Sequence, residues 1–393
     1  MSGLQKTILA FLGLAAACLL VVIGLVVYLN YLQYWDVPLG PALNLPTTTP
    51  LAGLAPVSAS TSVAFTPGGI TYLPTVTPPP SFTPDPLLTN VPTAVQLSSC
   101  GGGIEPMTIL AIGTDARSNS YLYGLADVIR VVRVDFVRRR VSILEFPRDL
   151  WVKIPEISDN LKGQDHEKLN QAYLYGNPGF GYWDDPSAGP GLLARTLQLN
   201  FGVQADHYIA VNMRTFEQIV NAVDGIDINI PNNTVSNDTG LHIGIHLLDG
   251  AAALAVARNR RDGVFSRADN QDRVLCALRD KLVSPDVVTR IPQIVNSFTD
   301  NVQTDLTPGQ ISQLACLGTQ VSPEWILFAS FPQELFKGTR VYDPVFKSRL
   351  FIWDVDFNVL REYVTQFDAG TWPTPDTSAD TEKSTPFCPP PGQ

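Results

Sequence analysis

Apolar and polar positions divide the chain into an uncharged apolar run, a proline-rich polar stretch, and a region of strand-like and helix-like patterns that opens at Met107. The run over residues 7–29, TILAFLGLAAACLLVVIGLVVYL, contains no charged side chain. About 20 apolar residues suffice to cross the hydrocarbon core as a helix, so this run predicts a membrane span. It continues past Ala15, Ala16 and Ala17, whereas a cleaved signal peptide has a shorter apolar region that ends at such small residues. From Met107 the β-branched runs MTILAIG, DVIRVVRVDF and VSILEF predict strands. The RRR of Arg138, Arg139 and Arg140 reads as an exposed hairpin turn between the last two. Helical periodicity follows in GLLARTLQLNF, MRTFEQIVNAV, LLDGAAALAVA and ADNQDRVLCALRDKLV, with strands DHYIAVN and IDINI between them. PDVVTRIPQIVNSF, PGQISQLACL and PVFKSRLFIWDVDFNVLREYV predict further helices, and a polar tail closes the chain. Strands interleaved with helices predict an α/β layered domain.

Composition explains the middle stretch. Between Asp36 and Ser99 lie 13 prolines and 11 threonines, with no Lys, Arg or Glu. Such a sequence cannot build a core and reads as a linker. In extended polyproline geometry it could reach roughly 200 Å at most. Lys6 precedes the apolar run and the next basic residue is Arg117, an asymmetry that places the amino terminus in the cytoplasm and the domain outside. Tyr28, Tyr31, Tyr34 and Trp35 fit an interfacial aromatic belt on the outer side. In that oxidising compartment Cys100, Cys276, Cys316 and Cys388 can form disulfides. Four cysteines allow three connectivities; the preferred one joins Cys276 to Cys316 and Cys100 to Cys388, with free thiols as the alternative. A net charge of −10 argues against general nucleic-acid binding.

Any anion site must therefore be a local concentration of arginine. IGTDAR places Asp115 and Arg117 in the loop after the first strand, where open α/β sheets bind ligands. Asp115 there is either a turn residue or a ligand. Asp127 opens the next strand, and two carboxylates at neighbouring strand ends could share Mg²⁺, or Mn²⁺ in its place. Arg148 and Asp149 in EFPRDL occupy another strand-to-loop junction. VARNRRDGVFSR gathers Arg258, Arg260, Arg261 and Arg267; guanidinium forks suit phosphate oxygens, although the same cluster could be a solvated basic turn. Among the four histidines only His242 and His246 have a helical metal spacing, and Gly244 between them argues for a loop.

Taken in order, ILAIGTDAR, the strand opening at Asp127, VSILEFPRDLWVKIP, EKLNQAYLYG, DHYIAVNMRTFEQIVNAVDGIDINIP, HLLDGAAALAVARNR and FSR with Gln271 resemble the LytR-CpsA-Psr family over residues 107–282. The resemblance implies a three-layer α/β/α domain with a mixed central sheet, a long apolar pocket for a polyprenyl chain and an arginine-lined mouth for its pyrophosphate. It implies that Asp115 and Asp127 are magnesium-linked, that Arg148, Arg258, Arg260 and Arg267 bind pyrophosphate, and that Gln271 joins them. Lys168 and Asn170 match a supporting motif. Leu125, Val264 and Asn270 depart from the usual arginine, acid and arginine, with Asp262 the nearest acid able to stand in for the second.

The expected organisation is a cytoplasmic terminus over 1–6, a signal anchor over 7–29, a Pro/Thr-rich linker over 30–99, a catalytic domain over 100–368 and a polar tail over 369–393. The implied activity moves a polyprenyl-pyrophosphate-linked glycopolymer onto peptidoglycan or another wall acceptor and releases polyprenyl phosphate. Asp115, Asp127, Arg148 and Asp149 are the catalytic candidates, with Arg117 among the phosphate ligands. A non-catalytic glycan-lipid binding module, supported by the three departures, and a lipid pyrophosphatase are the alternatives.

Overall fold

The computed structural model describes residues 20–26, 28, 38–45, 100–101, 103, 105–116, 121–155, 157, 164–259, 264–298, 301–374 and 388. Chain contacts separate residues 46–96 from a unit comprising 1–45 and 97–393. Residues 46–96 lie outside the described set, as does most of 7–29, of which residues 20–26 are helical and exposed. Among the described residues no helix is long and apolar enough to cross a membrane.

The β-branched runs form a meander, β1 (Met107–Thr114), β2 (Ala126–Asp135) and β3 (Arg140–Glu145). Neighbouring pairs are antiparallel. β6 (His207–Asn212) adds parallel to β1, β10 (Ile326–Ala329) adds parallel to β3, and β9 (Gln303–Thr304) closes the far edge. The result is a mixed α/β fold on a six-stranded mixed sheet in the order β10-β3-β2-β1-β6-β9. Alternate strand residues enter two clusters, as the pleat requires. Leu110, Ile112, Ile129, Val131 and Leu144 pack with α1 (Leu169–Tyr175), α2 (Ala188–Phe201) and α10 (Phe357–Asp368). Ile109, Val134, Val141 and Ile143 pack instead with Cys276 and Leu317 from α6 (Val264–Leu282) and α9 (Pro308–Gln320).

Between these helices, α3 (Met213–Ala222) starts at an Asn212 cap that accepts the Thr215 N–H at 2.7 Å. α4 (Asn233–Thr239) follows the hairpin's first strand, and α5 (Gly250–Arg258) starts at Asp249, which accepts from Ala252 N–H at 2.8 Å. PDVVTRIPQIVNSF breaks into α7 (Pro285–Val288) and α8 (Ile291–Phe298). Both caps satisfy amide groups that a helix leaves open at its start.

Several expectations are corrected. IGIHLL is not a loop: β8 (Gly244–Leu248) pairs with β7 (Ile226–Ile230), because Gly244 at φ +126° sits at the strand's end rather than breaking it. The first half of the last predicted helix is instead β12 (Ser348–Asp354), which forms a hairpin with the preceding β11 (Lys337–Asp343), and helix begins only at Phe357–Asp368. Arg140 is no surface residue: it is buried and donates to the carbonyls of Gly370, at 3.0 Å, and Pro373. The disulfides join Cys100 to Cys316 and Cys276 to Cys388, with Cα separations of 5.6 and 5.4 Å. The Cys276 side chain lies inside the cluster beneath α6, where Cys388 also sits, while Cys316 bonds the chain entering β1. Residues 38–45, within the stretch expected to be linker, pack Leu43 and Leu45 against the main core.

Candidate active site

The site begins with an irregularity in the sheet. Gly113 pairs with Val128 and Thr114 pairs with Ala126, so Asp127 is the extra residue of a β-bulge. Bulges re-aim a side chain and are over-represented beside active sites. Gly113 permits this close pairing, since a Cβ there would lie 2.9 Å from Cβ of Val128.

Asp127 pairs with the guanidinium of Arg148, which follows β3. Arg148 Nε also lies 3.5 Å from Oδ2 of Asp149, and Lys168 Nζ lies 2.7 Å from Asp149 Oδ1. Lys168 ends β5 (His166–Lys168), the partner of β4 (Trp151–Lys153). Four charges of alternating sign thus run from the bulge to the start of α1. The backbone fixes them: Asn170 N–H donates to Arg148 O at 3.1 Å, Leu169 N–H to Leu150 O at 2.8 Å, and Trp353 N–H to Asp149 O at 3.0 Å. β12 therefore positions the arginine loop although its sequence lies far downstream.

A second network lies on the α6 side of β2. Arg130, 3% exposed, pairs with Glu145 across the β2–β3 register at 3.2 Å and with Asp272. Its Nη2 donates to Gln271 Oε1 at 3.3 Å, and Gln271 Nε2 donates to Ala257 O at 3.3 Å. Burial pushes Glu145 above its ordinary carboxylate range, against the pull of Arg130 and Arg267. Burial likewise pushes Asp272 up to about 6, opposed by Arg130. Arg130 stays firmly charged because these carboxylates outweigh its desolvation.

Beneath Lys168, the side chains of Glu167 and Asp343 are both fully buried. Gln164 donates to Glu167 and, at 3.4 Å, to Asp343 Oδ1. Burial, then the neighbouring Asp343, pushes Glu167 up to about 8, so the pair holds a proton at neutral pH.

Of the expected site residues, Asp127, Arg148, Asp149 and Lys168 come together, and Gln271 joins the Arg130 network beside buried Arg267. Asp115 is fixed in the β1–β2 connection: its Oδ1 accepts Leu125 N–H at 2.6 Å, and its own N–H donates to Leu125 O at 3.1 Å. Leu125, one of the three departures, thus serves through its backbone. Asn270, another, is buried and donates to Asp238 O at 3.2 Å. Arg258 is exposed at the end of α5 and belongs to neither network. Arg117, Arg260, Arg261 and Asp262 lie outside the described residues, as does the Val264 side chain. Among the described residues no group of three or more His, Cys, Asp or Glu could hold a metal ion unaided.

Sequence reasoning missed Arg130, Glu145 and Asp272. The available signal was an arginine inside the otherwise apolar DVIRVV, because a charge within a buried strand requires a partner.

A family model described as the LytR_cpsA_psr family matches residues 90–348. The chain is 28% identical over 218 residues to a protein of Enterococcus faecalis named polyisoprenyl-teichoic acid--peptidoglycan teichoic acid transferase TagU, covering 54% of this chain and 65% of that one. It is 28% identical over 212 residues to the regulatory protein MsrR of Staphylococcus aureus, covering 53% and 58% respectively. The matched part is therefore under two thirds of the length of either relative. In fold it is similar to the Lin1025 protein of Listeria innocua, with a TM-score of 0.52 and 23% identity over 69% of this chain and 100% of that one.

Proposed function

Because this chain belongs to the LytR-CpsA-Psr family, we propose that it is an extracytoplasmic transferase that moves a polyprenyl-pyrophosphate-linked glycopolymer onto peptidoglycan or another wall acceptor. The observation that carries this reading is the Arg148 loop, where a guanidinium is held between Asp127 and Asp149 on a fixed backbone. The TagU relative is named for a transfer of this kind. The reading includes a signal anchor over residues 7–29, which gives the domain access to a membrane-borne donor.

Phosphoryl transfer asks a protein mainly for positioning and charge stabilisation. Arg148 and Lys168 supply preorganised cations, and Asp127 and Asp149 aim them. When the pyrophosphate arrives, its oxygens compete with these carboxylates for the same donors. Arg267 and Gln271 lie on α6 in the buried network of Glu145 and Arg130, where Gln271 accepts from Arg130. Asp149 is engaged by two cations and is better suited to aiming them than to taking a proton. Among the described residues Asp115 is tied through Oδ1 to Leu125, and its other oxygen is the one assigned to an acceptor hydroxyl or a cation.

The donor set at Asp115 and Asp127 fits Mg²⁺ or Mn²⁺, since such ions take one or two carboxylates beside phosphate oxygens. When bound, the ion would neutralise charge developing on the phosphate. The prenyl chain has an aromatic cluster available near the same connection, where Tyr123, Phe180, Tyr175 and Tyr182 meet edge to face in sequence at 5.9, 5.8 and 5.3 Å.

The test is release of polyprenyl phosphate from a lipid-pyrophosphate glycan, with an acceptor present, by the full chain in vesicles. Arg148→Ala should lower turnover about 10²–10³-fold, as for loss of one preorganised charge donor. Tight binding without product would favour the binding module, and phosphate release without acceptor coupling would favour a pyrophosphatase.

A further inference from the structure

Residues 38–45 lie at the start of the stretch expected to be linker, yet they fold onto the domain. Leu39 N–H donates to Leu306 O at 3.4 Å and Leu43 N–H to Oδ2 of Asp305 at 3.1 Å. Asn44 Nδ2 reaches Asp185 Oδ2 at 3.4 Å. Asp305 is 3% exposed; its Oδ1 accepts Tyr208 N–H at 2.8 Å, and its Oδ2 lies 3.4 Å from His207 Nδ1. A buried carboxylate of the domain therefore shares one oxygen with the segment's backbone. Leu43 and Leu45 add apolar contact with the main core. Gly40 crosses Thr304 so closely that a Cβ would lie 2.4 Å from the Thr304 carbonyl oxygen, an approach that only glycine permits.

Connectivity turns this docking into a distance. Leu45 and Cys100 belong to the same unit, so residues 46–96 leave the domain and return to it. They are not a spacer between the domain and the apolar run. Only residues 29–37 remain for that purpose, and ten Cα steps from Tyr28 to Pro38 span at most about 36 Å. A free linker would have allowed roughly 200 Å. A domain of this size has a radius of gyration of about 19 Å, so the shorter leash keeps the face carrying residues 38–45 within about two such radii of the membrane.

We infer that residues 38–45 are an intramolecular clip that holds this face of the domain close to the lipid surface, because the Pro/Thr-rich segment no longer separates the domain from the apolar run. The inference rests on the proposed anchor over residues 7–29. It means that the domain stays within about 36 Å of a membrane-borne donor, so encounter does not depend on the reach of a long tether.

The experiment uses the full chain in vesicles, with a fluorophore attached after Gln393 and energy-transfer acceptors in the lipid. Gly40→Val removes the close approach without altering a residue of the proposed site. It should lower transfer severalfold, and hydrogen exchange at the Leu43 amide should become fast. Replacing residues 50–92 with a short Gly/Ser linker should leave both readouts as in wild type. The clip is overturned if Gly40→Val changes neither readout, if the linker replacement itself raises transfer, or if the Leu43 amide exchanges fast in a wild-type chain that vesicles retain. Loss of the wild-type chain from vesicles in an alkaline wash would instead overturn the anchor, and with it the closeness to lipid.

Discussion

Replacing Arg130 with methionine tests whether the buried network is held together by its charge. The guanidinium is 3% exposed and is shared by Glu145 at 3.2 Å and Asp272. Removing one partner from a buried ion pair costs about 3–5 kcal/mol, because the remaining charge stays desolvated. Protonation offers the remaining carboxyls an escape. Burial already holds Glu145 above its ordinary range and Asp272 at about 6, and both must rise further once Arg130 is gone. A folded-state pKa above the unfolded value means that the folded protein binds more protons across that window. Lowering the pH therefore favours the variant's folded state. Denaturant unfolding with both disulfides intact should show a loss of about 3–5 kcal/mol at pH 8. At pH 5 the loss should shrink to about 1–2 kcal/mol, the cost of neutral groups left unsatisfied. Equal losses at both pH values, or a loss under about 0.5 kcal/mol at pH 8, the range of ordinary surface substitutions, would refute this account.

Glu167→Gln should leave stability unchanged at pH 5 and raise it at pH 9. A carboxyl held at about 8 favours folding only while protonated, so wild type loses stability as the pH climbs through that value; an alkaline stability equal to wild type would contradict it. Non-reducing peptide mapping should join Cys100 to Cys316 and Cys276 to Cys388. Cys388→Ser together with Cys276→Ser should lower stability by about 2–5 kcal/mol in the same unfolding assay. Arg138→Ala should keep wild-type turnover and stability, since that side chain is 69% exposed and its ion pair with Asp135, at 3.6 Å, is a surface one.

The β1–β2–β3 meander was legible because β-branched runs state a strand locally. Asp127, Arg148 and Asp149 were legible because they stand where those strands stop. IGIHLL was misread as a loop because of Gly244, and SRLFIWD as helix because a short apolar run fits either element; pairing with IDINI and KGTRVYD made both strands. Arg140 reads as a turn residue until the carbonyls of Gly370 and Pro373, beyond α10, accept from it.

The sequence by itself determined the class of the chain: an uncharged apolar run, a proline-rich stretch, an α/β domain, and a family whose motifs appear in order. Each of these is written in composition or in short-range periodicity. The tertiary structure decided which cysteines bond, which arginine is buried, and that residues 38–45 belong to the domain. Those outcomes join groups far apart in the chain, such as Cys276 with Cys388, Arg130 with Asp272 and Leu43 with Asp305. A disulfide needs Cα atoms within about 7 Å, and a buried charge needs its partner within hydrogen-bond reach. No local pattern carries those distances, because they exist only after the sheet has brought its helices and edges together.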